Sequence, residues 1–121
     1  MQTTSTISWG RQERFKFSAF GPLDGWVAPA IPAVYAVTYR RDPRNHPKAH
    51  TVLFFGETED LSVHAHSIKQ KVVENWNDHG HTSDDLYILV HPMEGSSKPQ
   101  RLRVQERLIL EYQPQINKDN E

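Results

Sequence analysis

The chain has 121 residues, 24% of them charged and 36% hydrophobic, with a net charge of −1. These values suit one soluble globular domain rather than a disordered chain or a membrane bundle, since no apolar run approaches the ~18 residues a spanning helix needs. The absence of cysteine rules out a disulfide framework and a thiolate zinc site, and a cytoplasmic location is the expectation.

Met1 to Ser8 is polar, without the basic start and apolar stretch of a signal peptide, and reads as a loose tail. Arg14 to Phe20 alternates polar residues with Phe15, Phe17 and Ala19, the pattern of a short strand. Gly21 to Pro32 is rich in proline and glycine and reads as irregular. Residues 1–32 thus form a tail and N-terminal extension ahead of a domain over 33–117, with a short tail at 118–121.

Ala33 to Tyr39 is β-branched and aromatic without a breaker, which predicts a strand. Thr51 to Phe55 predicts a second, ended by Gly56. Pro43 and Pro47 break any helix between them, so a long hairpin joins the two. Asp60 is placed to cap a helix whose apolar face recurs at Leu61, Ala65, Ile68, Val72 and Trp76, with Gly80 as its C-terminal cap. Leu86 to Val90 predicts a third strand. Glu94 to Lys98 is turn-rich, Pro99 suits the first turn of a second helix, and Pro114 ends it after Tyr112. The element order implies an α+β domain, a small three-stranded antiparallel sheet flanked by helices.

Three features interrupt these patterns. Arg40, Arg41, Arg44 and Lys48, joined by His46 and His50, form the densest positive charge, either a solvated loop or a nucleic-acid contact. Glu106 falls between Leu102, Ile109 and Leu110 on a helical wheel. A carboxylate there is paired, stands at a partly exposed edge, or serves as a metal ligand or acid-base group. His64 flanks the first helix's apolar stripe beside Lys71 and Asn75. The pairs His64/His66 and His79/His81 lack zinc-ligand geometry, and a structural zinc is rejected.

Ala33-Val34-Tyr35, then Phe54-Phe55-Gly56, then Glu106 with Leu108-Ile109, Pro114 and Asn117 together resemble, in order and spacing, the motifs of the GIY-YIG nucleases. The resemblance implies a three-stranded antiparallel sheet and phosphodiester hydrolysis assisted by one Mg²⁺ or Mn²⁺. Glu106 would hold the metal, Tyr35 would position or deprotonate the attacking water, and Asn117 would support the site. Such transfer needs charge neutralisation and an oriented nucleophile.

The chain departs from the family at several positions. Phe54 lacks the motif's hydroxyl, Ile68 stands where a histidine is frequent, and Glu57 sets a negative charge beside the phosphate's place. His64 occupies the place of a conserved family arginine and supplies a cation only while protonated. The expectation is therefore a catalytically reduced domain that binds nucleic acid, DNA above all, or a protein partner. The alternatives are an active Mg²⁺-dependent endonuclease with a rearranged site using Tyr35, His64 and Glu106, slow and favoured by mild acid, and an interaction module without nucleic acid.

Overall fold

The computed structural model describes residues 6–23, 25–39, 51–78, 86–114 and 116–117. Arg40, Arg41, Arg44 and Lys48 lie outside them, as do Gly80, the His79/His81 pair and the side chain of Trp76. The elements are β1 (Thr6–Trp9), β2 (Phe15–Pro22), β3 (Ala33–Tyr39), β4 (Thr51–Thr58), α1 (Leu61–Asp78), β5 (Leu86–Pro92) and α2 (Lys98–Tyr112).

One sheet runs in the order β1-β2-β5-β3-β4, with every neighbouring pair antiparallel, and curls into a half-barrel. This overturns the expected small three-stranded sheet flanked by helices with an N-terminal extension, because two further strands come from residues assigned to that extension. The alternation of Phe15 and Phe17 supplies the reason. Both side chains are buried, and Phe17 packs with Trp9 on Phe55: ring centroids lie 4.9 Å apart for Trp9–Phe17 and 5.6 Å for Trp9–Phe55. Left off the sheet, this aromatic cluster would face water. The polar start of β1 concealed it, because Trp9 alone of its four residues is fully turned inward.

The core has two halves, one on each side of the sheet. Ala33, Tyr35 and Val37 of β3 pack with Ile88 and Val90 of β5 and with Leu61, Ile68 and Val72 of α1. Val34 and Ala36 pack the other way, with Leu89, Phe55, the β1–β2 aromatics, and Val104 and Leu108 of α2. Strict alternation along β3 therefore feeds both cores, which is why the strand is apolar throughout. In β4 the ladder slips once: Val37 pairs with Phe54 but Thr38 with Val52, so Leu53 is an extra residue. Leu53 and Phe54 both end in the α1-side core.

Both helix starts are chemically specified. Asp60 Oδ1 accepts from the Ser62 N–H at 2.9 Å and the Ser62 hydroxyl at 2.6 Å, capping α1. Those bonds, the hydroxyl's first, hold the Asp60 carboxyl below the usual carboxylate range. At α2, the Ser97 and Gln100 side chains each accept the other's backbone N–H, and proline follows in the first turn. The inner stripe of α2 is Arg101, Val104 and Leu108, whereas Leu110 is 77% exposed. Glu106 is exposed, so its apparent place in an apolar sector came from counting Leu110 as a core residue. Among the described residues no helix is long and apolar enough to cross a membrane.

Candidate functional site

Strand β4 is an edge of the sheet, and a pocket of about 460 Å³ wraps around its C-terminal end. Alternation distributes the wall. Gly56 pairs with Tyr35 and Thr58 with Ala33 on the α1 side, while Glu57 pairs with Val34 on the α2 side. His64, Ser67 and Lys71 join from α1, and Lys98 and Arg101 from α2. Two helices on opposite sides of the sheet thus meet at one opening.

Gly56 is what lets Tyr35 lie there. A Cβ at this position would fall 2.3 Å from both Cζ and Oη of Tyr35 and 2.9 Å from Phe54 Cε2, so the ring rests directly on bare backbone. Burial, and secondarily the charge of Glu57, push the Tyr35 hydroxyl far above its ordinary range. At neutral pH it keeps its proton and serves as a donor. Because the folded chain holds this proton more tightly than the unfolded one, its contribution to stability is complete below pH ~10 and is lost as pH rises beyond. Urea midpoints at pH 8 and pH 10.5 should therefore drop less in Tyr35→Phe than in the wild type; equal drops would remove Tyr35 as the cause.

His64 is exposed, and its Nδ1 lies 2.5 Å from Thr58 Oγ1 and 3.2 Å from the Asp60 carbonyl oxygen. A carbonyl only accepts, so the assignment that satisfies both contacts places a hydrogen on Nδ1 and leaves Nε2 as the ring's acceptor. Lys71 Nζ sits 5.1 Å from the Phe54 ring centroid, which uses the aromatic face to hold a cation at the rim.

Arg101 is 4% exposed although charged. Its Nε donates to Glu57 Oε2 at 3.1 Å, and its Nη1 to the Ser96 carbonyl at 2.9 Å and hydroxyl at 3.0 Å. Glu57 is therefore not a bare negative charge repelling a ligand; it is the counter-ion of a buried guanidinium.

Of the residues singled out in the sequence, Tyr35 and His64 line this pocket together. Glu106 does not: it stands exposed on α2, outside the lining. Asn117 does different work, since its Oδ1 accepts from the Phe55 N–H at 2.7 Å and its Nδ2 donates to the Phe55 carbonyl at 3.0 Å. That amide satisfies the outer edge of β4 as another strand would. Among the described residues no three His, Asp or Glu side chains gather into a metal site built by protein ligands alone, and Glu57 is already committed to Arg101.

Sequence reading missed Arg101, Lys98 and the counter-ion role of Glu57. One signal was present: Arg101 precedes Val104 and Leu108 by three and seven residues, which puts an arginine on the helix's inner stripe. No family model, no curated protein and no solved structure matches the chain.

Proposed function

We propose that this chain is a catalytically reduced relative of the GIY-YIG nucleases that binds nucleic acid, DNA above all, at the β4 pocket without cutting it. The observation that carries this reading is the convergence of Tyr35 and His64 with three cations, Lys71, Lys98 and Arg101, around one opening. A protonated phenol, two lysines and a guanidinium are all donors suited to phosphate oxygens. Glu106, the residue the resemblance assigns to Mg²⁺ or Mn²⁺, faces solvent away from them. Hydrolysis needs an activated water and charge neutralisation in one place, whereas binding needs the donors alone. Arg40, Arg41, Arg44 and Lys48 would extend the contact along the nucleic acid, and the cytoplasm is the compartment proposed.

Fluorescence anisotropy with a labelled DNA duplex tests the reading. Binding should weaken by ~10-fold or more between 50 and 200 mM salt, since counterion release at two phosphate contacts alone gives that much. Lys71→Ala with Lys98→Ala should flatten that slope. Plasmid nicking in Mg²⁺ or Mn²⁺ should stay at background for wild type and Glu106→Ala alike. Absence of binding at 50 mM salt, or nicking that Glu106→Ala abolishes, would overturn the proposal.

A further inference from the structure

A guanidinium has five N–H donors in a fixed planar fork. In Arg101 three are used: the Nε hydrogen on Glu57, and both Nη1 hydrogens on Ser96. Among the described residues, the two on Nη2 have no hydrogen-bond acceptor. Arg101 lines the β4 pocket, and its side chain keeps 5% of its surface accessible there.

An arginine held in this way differs from a surface arginine. Three bonds from two elements fix its plane before any ligand arrives, so binding does not have to restrain a flexible side chain. The Glu57 carboxylate offsets its charge on the inner side and leaves the outer edge of the fork for another acceptor. Around the same opening stand Lys71, Lys98 and the Tyr35 hydroxyl, all donors, with His64 Nδ1 already engaged by Thr58 and Asp60. Of the two carboxylates in the wall, Glu57 is paired and Glu59 is exposed at the rim. Donors brought from β3, α1 and α2 around one void match a tetrahedral, multiply charged acceptor better than a planar carboxylate.

We infer that Arg101 is the phosphate-reading residue of the β4 pocket, presenting its Nη2 edge to a phosphate group from the α2 side while Glu57 and Ser96 hold it in place. The inference deepens the nucleic-acid reading above and rests on it for the source of the phosphate. It assigns the permanent forked cation to α2, a helix on the other side of the sheet from His64. The phosphate is either an internal diester or a phosphorylated chain end, and the two are separable by experiment.

The test begins with the unaltered protein. Arginine Nε–Hε resonances are followed by NMR while inorganic phosphate, a 5′-phosphorylated oligonucleotide or its 5′-hydroxyl counterpart is added. The Arg101 signal is assigned by its disappearance in Arg101→Lys, whose folding is checked by circular dichroism. A saturable shift of the Arg101 signal with phosphate and with oligonucleotide, and a loss of oligonucleotide affinity of ~10-fold or more in folded Arg101→Lys, would support the inference. Preference for the 5′-phosphate arm would identify a chain end; equal affinity would identify an internal diester. If the oligonucleotide binds and Lys71→Ala with Lys98→Ala weakens it, yet the Arg101 signal stays still, the inference fails and the nucleic-acid reading survives. If phosphate moves Arg101 but neither oligonucleotide binds, the phosphate site stands and the nucleic-acid reading fails. If no ligand moves any pocket signal, both fall.

Discussion

Glu57→Ala is expected to destabilise the fold by about 3–5 kcal/mol, because it leaves the Arg101 guanidinium buried without its counter-ion. The two side chains are 13% and 5% exposed, so the little water that reaches them replaces only a small part of the lost contact. Arg101→Ala should be comparably costly, since it strands the carboxylate and also empties the Ser96 contacts. The discriminating variant removes both charges. Glu57→Leu with Arg101→Met should recover much of the loss, because an apolar pair of similar volume avoids the desolvation that each lone charge suffers. Urea unfolding of the four proteins at one pH measures this. Single variants within ~1 kcal/mol of wild type would mean the pair behaves as an ordinary surface ion pair.

Gly56→Ala is the second large effect. Replacing glycine in a strand ordinarily gains about 0.5–1 kcal/mol through the unfolded state. Here the added carbon meets the Tyr35 ring and hydroxyl at 2.3 Å, a separation that forces the ring or the strand to move. The expected net result is a loss of ~1–3 kcal/mol, the usual range for overpacking. Tyr35→Phe should not rescue it, because Cζ collides as badly as Oη. Tyr35→Leu should, so a double-mutant cycle between positions 35 and 56 should show coupling of ~1 kcal/mol or more. Additive effects would place the Tyr35 ring elsewhere.

Much of the element map is legible in the residues themselves. The strand at Ala33–Tyr39, the cap at Asp60, the first-turn proline Pro99 and the stop before Pro114 coincide with β3, α1 and α2. Each is announced by local chemistry: β-branched runs, capping side chains, a missing N–H. The N-terminal strands were half legible. Phe15 and Phe17 declared their alternation, but pairing partners depend on which rings meet across the sheet, and no local pattern states that.

The site was read less well, for a reason visible in α2. A wheel built from apolar residues alone turned Leu110 inward and carried Glu106 with it. The helix instead turns Arg101 inward, which is permitted only because Glu57 waits on β4. A charge that is buried through a distant partner looks, in sequence, like any solvated charge.

The extra residue in β4 has one more effect. Upstream of Leu53 the even-numbered Val52 points to the α2 side; downstream, Phe54, Gly56 and Thr58 point to the α1 side. The strand therefore changes phase at Leu53, and the whole pocket is written in the second phase. Removing Leu53 would only make the ladder regular. With Leu53 gone, the loss of one more residue between Phe54 and Gly56 would have no slack to take it up and would shift Glu57 to the Tyr35 side and Thr58 to the Arg101 side. The tolerance of β4 to deletion is thus one residue deep: the strand can lose its one spare residue and keep the pocket, and cannot lose a second.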